Sequence, residues 1–298
     1  MGLAQRERRD IWYKVAKSLG YRSRSALKLL HIHQKLKILD GIASAVDLCA
    51  SPGGFSQVLA EYVKSLNQLS NSSYVPVLGI DIQPIHDLDG VEFWVRDITD
   101  QNLYKDIITH FMNDKVDLVL CDGAPDGFGT AFEDGYYQED LVLTALQLSI
   151  FILRPGATFV VKVFRGKNSR LLTYRISHFF ESIIYAKPRV CRQSSCEAFL
   201  VCRKFKLPSS LSSTNVEELR EAFWKFIYSI NDMPSEFNVD YIVCGEAKYD
   251  ADANYPELPE DFEYSTEVKP PLMLPTNPAY KIACELKKQG KLCKTVKN

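Results

Sequence analysis

Seven short apolar runs occur between residues 45 and 202, and helix-length segments separate most of them. The runs are A-V-D-L-C (45–49), V-L-G-I-D-I (77–82), V-E-F-W-V-R-D-I (91–98), V-D-L-V-L-C-D-G (116–123), T-F-V-V-K-V-F (158–164), S-I-I-Y-A (182–186) and A-F-L-V-C (198–202). Strands that alternate with helices predict an α/β fold, with a mostly parallel sheet covered by helices on both faces. The last two runs are too closely connected for a crossover helix, so one of the seven strands should run antiparallel.

The N-terminal segment differs from this core in charge. Residues 1–39 hold ten Lys and Arg against two acids, with Trp12, Tyr13 and Tyr21 among them. We therefore predict that residues 1–40 form a basic arm and helix that binds RNA, and that residues 41–206 form the α/β core. A solvated basic helix face is the alternative for the arm.

The C-terminal segment has weaker periodicity. Residues 207–298 are predicted to form a partly irregular appendage with one short helix near 215–230. Residues 246–267 hold eight acids against one lysine, and six lysines follow from Lys281 onward. The acidic stretch is either a docking surface for a partner or a solvated tail.

The cysteine pattern and the hydropathy of the sequence indicate the cellular compartment. The eight cysteines are scattered with no CxxC pair, which disfavours a zinc site or a disulfide framework. A reducing compartment is therefore expected, the cytosol by default and the nucleus as the alternative. The start is charged and no apolar run reaches membrane-spanning length, so neither a secretory leader nor a membrane partner is expected.

The first strand leads into a glycine turn, A-S-P-G-G (50–54), just before a predicted helix. Gly53 and Gly54 would let a ligand approach the backbone closely. The turn lacks the GxGxxG pattern, so a pyrophosphate cradle is not specified, and an NAD-dependent oxidoreductase is disfavoured. A simple turn is the alternative.

Three acids lie at or just past the ends of predicted strands, where open α/β sheets bind ligands. Asp81 could accept hydrogen bonds from two ribose hydroxyls, and Asp97 could accept one from an exocyclic amine. Asp122 would face the reacting centre. Helix capping or loop solvation explains any single acid, but three at one sheet edge favour a nucleoside-bearing cofactor without pyrophosphate.

Lys162 lies within an apolar strand, where an ammonium without partners costs several kcal/mol. A lysine whose stem packs while its head reaches water is one explanation. In the predicted sheet, however, Lys162 lies near Asp122, Glu197 begins the last strand, and Lys28 projects from the basic arm. Two amines and two carboxylates in one cleft can hold a hydroxyl nucleophile, with a lysine as general base.

These motifs resemble the FtsJ/RrmJ class of S-adenosylmethionine-dependent RNA 2′-O-ribose methyltransferases. The resemblance rests on a K…D…K…E set combined with D-L-C-A-S-P-G-G-F-S-Q and C-D-G-A-P-D. It is greater still to the eukaryotic tRNA anticodon-loop branch, the Trm7 type, and extends over essentially the whole chain. That similarity includes R-R-D-I-W-Y-K-V-A-K-S-L-G-Y-R-S-R-S-A-L-K-L-L, V-F-R-G-K, A-K-P-R, S-C-E-A-F-L-V-C and C-G-E-A-K-Y-D-A-D-A-N-Y-P.

The resemblance implies a Rossmann-like methyltransferase fold and methyl transfer from S-adenosylmethionine to the ribose 2′-hydroxyl of anticodon-loop nucleotides, at positions 32 and/or 34. Lys162 would accept the proton or orient the oxygen lone pair, Lys28 would stabilise the oxyanion, and the acids would position both lysines. The implied catalytic residues are Lys28, Asp122, Lys162 and Glu197, and the implied cofactor-binding residues are Gly53, Phe55, Asp81, Asp97 and Asp122. No metal is expected. Phe55 stands where the family usually has Trp, which keeps an apolar ring but loses the indole donor.

The resemblance also implies binding partners, and it leaves alternative functions open. The expected partners are the tRNA anticodon stem-loop and two auxiliary proteins, one with WD repeats and one with helical repeats, that direct the choice of nucleotide. The alternatives are a ribosomal RNA or mRNA-cap 2′-O-methyltransferase and a non-catalytic RNA-binding subunit with the same fold. The basic arm matches the tRNA branch, and the presence of all four catalytic residue types argues against a non-catalytic role.

Overall fold

A computed structural model describes residues 11–67, 75–125, 131–166, 168–192, 195–211 and 215–246, with the single residues Leu286 and Gln289. Several sequence predictions lie outside these described residues. They are the first ten residues of the basic arm, the end of the loop after the fourth strand, nearly all of the acidic stretch, and the lysine-rich end.

Seven α-helices and eight strands form the described part of the chain. The helices are α1 (Ile11–Ser18), α2 (Ser25–Leu36), α3 (Gly54–Asn67), α4 (Leu103–His110), α5 (Ala131–Ile152), α6 (Ser169–Ser177) and α7 (Val216–Ser229). The strands are β1 (Ala45–Leu48), β2 (Val77–Asp81), β3 (Glu92–Val95), β4 (Val116–Cys121), β5 (Leu153–Phe164), β6 (Phe180–Pro188), β7 (Glu197–Phe205) and β8 (Asp240–Cys244).

The strands form one sheet in the order β3-β2-β1-β4-β5-β7-β6-β8. Strands β1 to β5 pair in parallel, and β7 runs antiparallel to both β5 and β6. The predicted mixed sheet with one antiparallel strand is therefore confirmed. The predicted number of strands was one too low, because β8 pairs in parallel with β6 at the end of the sheet.

Alternating side chains of the central strands are buried on opposite faces of the sheet. Val119 and Cys121 of β4 belong to a core under α4, α5, α6 and α7, whereas Leu118 and Leu120 belong to a core under α2 and α3. A strand buried on both faces has no polar side, which explains the continuous apolar run that predicts β4. Among the described helices, none is long and apolar enough to cross a membrane.

Part of the predicted appendage joins this core. Phe223 and Ile227 of α7 are fully buried in the core under α4 to α7, and Cys244 of β8 is buried on the opposite face. The predicted boundary at residue 206 therefore does not mark the end of the sheet. At the other end of the chain, Trp12 of α1 packs in a small cluster with Leu27 of α2.

Candidate active site

The glycine turn between β1 and α3 is crowded by protein atoms. Gly53 has a φ of +95°, and a Cβ there would lie 3.0 Å from Nη1 of Arg22. A Cβ at Gly54 would collide with Oγ of Ser23. These glycines therefore allow the segment before α2 to pack closely on the start of α3, which fixes the position of α2 and of Lys28 on it.

A cavity of about 630 Å³ opens at the carboxyl edge of the sheet. The three predicted acids Asp81, Asp97 and Asp122 all line this cavity. Two predicted cofactor residues, Gly53 and Phe55, are not among its lining residues. Phe55 is buried and packs against Phe199, with ring centroids 6.0 Å apart.

The backbone around the cavity orients two of these acids. Asp81 accepts hydrogen bonds from the backbone N–H of Ser51 at 2.9 Å and of Gln83 at 2.8 Å, one at each carboxylate oxygen. Asp97 accepts one from the backbone N–H of Thr99 at 2.8 Å, and its side chain is exposed. Both carboxylates keep free lone pairs, so both can accept hydrogen bonds from a ligand.

Several residues that line the cavity were not predicted from the sequence. They are apolar or aromatic residues beside the acids, namely Ile82, Ile98, Tyr137 and Leu141. Ile82 is 67% exposed, which is unusual for an isoleucine that directly follows a buried strand. Its position after Asp81 is the signal that could have identified it.

The four predicted catalytic residues lie together beside this cavity. Nζ of Lys162 lies 3.0 Å from Oδ1 of Asp122 and donates to the backbone oxygen of Asp122 at 2.5 Å. Nζ of Lys28 lies 3.5 Å from Oδ2 of Asp122 and 2.6 Å from Oε1 of Glu197. Asp122 thus contacts both lysines, and Lys28 contacts both carboxylates.

Electrostatics fix the charge of two members of this cluster. Burial opposes the charge of Lys28, but the carboxylates of Asp122 and Glu197 outweigh it and hold the pKa of Lys28 above its usual value. Burial also opposes the charge of Asp122, yet Lys28 and Lys162 hold the pKa of Asp122 below its usual value. Lys28 and Asp122 are therefore an ion pair at neutral pH.

Two further buried polar side chains support the cluster, and sequence analysis missed both. Lys187 donates from Nζ to the backbone oxygens of Ser195 at 2.7 Å and Glu197 at 2.5 Å, which holds the start of β7. Gln138 of α5 contacts the ends of β4 and β5. Lys187 could have been found as Lys162 was, because it too lies within a strand, directly after the apolar run I-I-Y-A.

Asp47 of β1 is buried beneath the glycine turn. Its Oδ2 accepts a hydrogen bond from Oγ of Ser56 at 2.6 Å, and its Oδ1 has no partner among the described residues. Burial raises the pKa of Asp47 to about 7, and the charges of Asp122 and Asp81 add to the effect while the Ser56 hydroxyl opposes it.

Replacing Asp47 with asparagine should therefore change how stability depends on pH. Between about pH 4 and 7 folded Asp47 holds a proton that the unfolded chain releases, so its contribution to the free energy of unfolding falls as pH rises. The asparagine variant does not titrate at this position, so it does not lose this contribution as pH rises. The free energy of unfolding of the variant minus that of wild type should therefore increase by about 2–3 kcal/mol from pH 5 to pH 8. The slope is roughly 1.4 kcal/mol per pH unit and ends near pH 7, where folded Asp47 loses its proton.

Urea denaturation of both proteins at the two pH values measures this difference. Any fixed cost of burying the amide is the same at both pH values and cancels. An equal stability difference at pH 5 and pH 8 would contradict a raised pKa for Asp47.

The fold and the site together define a class of protein. It is an α/β protein with an acid-lined cavity at the carboxyl edge of the sheet, beside a largely buried cluster of lysines and acids. The FtsJ-like methyltransferase family matches residues 21–205. The match extends over more than half of the chain, and the chain belongs to this family.

Individual relatives agree with the family. A human protein named tRNA (cytidine(32)/guanosine(34)-2′-O)-methyltransferase is 38% identical over 300 residues, which cover 100% of this chain and 88% of the human protein. A protein of Neurospora crassa named AdoMet-dependent rRNA methyltransferase spb1 is 40% identical over 205 residues, which cover 68% of this chain but 24% of that protein. A crystal structure from Plasmodium falciparum, described as a ribosomal RNA methyltransferase, shares the fold with a TM-score of 0.54 at 24% identity, and the match covers 62% of this chain and 98% of that one.

Proposed function

We propose that this protein transfers a methyl group from S-adenosylmethionine to the ribose 2′-hydroxyl of anticodon-loop nucleotides in tRNA, at position 32, position 34 or both. The observation that carries the proposal is the contact of Asp122, which lines the cavity, with the amines of both Lys28 and Lys162. The human relative with this named activity matches the whole chain. The ribosomal RNA relative matches less of it, which favours tRNA as the substrate.

The cavity fits such a cofactor in size and chemistry. A volume of about 630 Å³ lies in the range of roughly 300–1,000 Å³ that is typical of small-molecule sites. Carboxylates only accept hydrogen bonds, so Asp81 suits the ribose hydroxyls and Asp97 suits the exocyclic amine of adenosine. When bound, S-adenosylmethionine supplies an electrophilic methyl group. The proposed transfer uses no metal ion.

The contacts in the cluster support different roles for the two lysines. Lys28 contacts two carboxylates and its pKa is raised, so it stays charged and can stabilise the oxyanion that develops on the ribose. Lys162 contacts the carboxylate of Asp122 alone among the described residues. It has one carboxylate fewer than Lys28 to hold its own proton, so Lys162 is the lysine proposed to act as a neutral amine and accept the hydroxyl proton. General base catalysis of this kind contributes about 10²–10⁴ in rate.

Cys191 supports Glu197 in holding Lys28. The thiol of Cys191 donates to Oε1 of Glu197 at 3.3 Å. Burial and the nearby carboxylate raise the pKa of Cys191 to about 12, so the thiol keeps its proton and remains a donor. Glu197 thus accepts from a neutral and a charged donor, which fixes its carboxylate.

The wider setting stays a prediction from the sequence. The basic arm would contact the phosphates of the tRNA stem-loop. Auxiliary WD-repeat and helical-repeat proteins would direct the choice of nucleotide, with a docking surface beyond residue 206 as one option. The enzyme would work in the cytosol or the nucleus.

Ribose methylation in tRNA from cells that lack this protein tests the function. We expect 2′-O-methylation to be lost at position 32, at position 34 or at both, while other ribose methylations stay unchanged. Restoring the wild-type chain should restore the modification. Unchanged methylation at both positions, or a loss confined to ribosomal RNA or mRNA caps, would overturn the proposal.

A further inference from the structure

Gln138 is a polar residue with almost no contact with solvent. It lies in the first half of α5 and is 2% exposed. Its Nε2 donates to the backbone oxygens of Gly123 at 3.1 Å and of Lys162 at 2.8 Å. Because both partners are acceptors, the amide nitrogen must face them, and both of its N–H groups are used.

These hydrogen bonds connect two strands where their own pairing has stopped. The last paired residues of β4 and β5 are Cys121 and Val161. Asp122 directly follows Cys121 and Lys162 directly follows Val161, so the registered β4–β5 pairing does not extend to them. Gln138 links the carbonyl of Lys162 to that of Gly123, the residue directly after Asp122.

We propose that Gln138 is a positioning residue for the methyl transfer proposed above, on which this inference rests. Its carboxamide fixes the spacing between the ends of β4 and β5, and thereby the 3.0 Å contact between Nζ of Lys162 and Oδ1 of Asp122. Gln138 does not line the cavity. Its loss should therefore affect the chemical step and leave cofactor binding nearly unchanged.

The expected effect is a lower kcat. A displacement of about 1 Å in a reacting group can cost about 10²-fold in rate, so kcat should fall about 10–100-fold. KM for tRNA and the cofactor dissociation constant should stay within about 3-fold of wild type, since the binding surfaces are intact.

Two variants of the full-length protein test this inference. Gln138→Met keeps the length of the side chain but has no donor, and Gln138→Glu keeps its shape but turns acceptor oxygens toward the two carbonyls. Thr173→Val is the matched control. Thr173 is also buried, and its hydroxyl donates to Ser169 O at 2.7 Å and contacts Tyr185 Oη at 2.5 Å on α6 and β6, not at the ends of β4 and β5.

The measurements are kcat and KM for tRNA, cofactor affinity by equilibrium dialysis, and the thermal midpoint, with activity assayed well below each midpoint. Thr173→Val should keep kcat within about 2-fold, since it loses buried hydrogen bonds without moving the catalytic pair. The inference is overturned if Gln138→Met keeps kcat within about 3-fold of wild type, or if the variant changes KM or cofactor affinity instead of kcat. It is also overturned if Thr173→Val lowers kcat as much as Gln138→Met does. Failure of both Gln138 variants to fold would assign the residue to the core and overturn it too.

The wild-type protein separates this inference from the proposed function. A wild type that transfers no methyl group to tRNA contradicts the proposed function. An active wild type with an equally active Gln138→Met contradicts the role of Gln138 alone.

Discussion

Replacing Lys162 with alanine should lower methyl transfer to tRNA by at least about 10²-fold, because the variant loses the amine proposed to accept the hydroxyl proton. The cofactor dissociation constant should stay within a few fold, since Lys162 does not line the cavity. A radiolabelled-methyl assay and equilibrium dialysis measure the two quantities. Substantial activity in Lys162→Ala would refute the role.

Lys162→Arg separates proton transfer from simple attraction by a positive charge. A guanidinium keeps the charge but does not lose its proton in proteins. We expect this variant to be as inactive as Lys162→Ala, because it cannot accept the proton. Partial activity would instead indicate that the charge orients the hydroxyl. Lys105→Ala, at an exposed lysine on α4, should behave as wild type.

The position of the site follows from features that are visible in the sequence. Parallel strands end at the same edge of a sheet, so the acid that ends β2 and the acid that follows β4 must lie at the same edge. The prediction that Asp81, Asp97 and Asp122 share one edge depended only on strand ends, and all three line the cavity. Lys162 was visible because an ammonium in an apolar strand needs partners.

The glycine turn shows where the sequence was insufficient. A glycine allows something to approach the backbone, but the pattern P-G-G does not tell whether a ligand or another part of the chain does so. Here the side chains of Arg22 and Ser23 approach Gly53 and Gly54. The aromatic ring of Phe55 packs against Phe199 and also lines a small cavity with Asp122, so its contact with the cofactor stays a prediction.

The missed strand and the missed glutamine have a related cause. Strand β8 is apolar in four of its five residues, D-Y-I-V-C (240–244), yet it is exposed along most of its length and lies in a segment of weak periodicity. Its pairing with β6 is a long-range contact that no local pattern encodes. Gln138 is one polar residue among several near the start of α5, and only tertiary structure shows that it faces two strand ends.

Replacing Lys28 with methionine should have the largest effect on stability. Lys28 is 6% exposed, and its ammonium lies between Asp122 and Glu197. Methionine retains the apolar stem but leaves the largely buried carboxylate of Glu197 without an ammonium and that of Asp122 with Lys162 alone. Removing one partner of a buried ion pair costs about 3–5 kcal/mol. Urea denaturation at neutral pH measures this cost.

Lys204→Met is the matched control. Its ammonium also lies near a carboxylate, 3.1 Å from Oε2 of Glu181, but both side chains are largely exposed. An exposed pair of this kind contributes about 0–1 kcal/mol. Lys28→Met and Lys204→Met therefore make the same chemical change in buried and in exposed surroundings.

The pH dependence of the Lys28→Met variant gives the sign of the electrostatic effect. In wild type the pKa of Lys28 is raised and that of Asp122 is lowered, so both groups stay charged across the neutral range. Without Lys28, the pKa of Asp122 should rise, because one of the two ammonium groups that lower it is lost while burial still opposes the charge, and the folded variant then takes up protons as pH falls. The stability gap to wild type should therefore narrow between pH 8 and pH 5.5. A gap that does not change with pH, or that is no larger than for Lys204→Met, would mean that water rather than Lys28 stabilises these carboxylates.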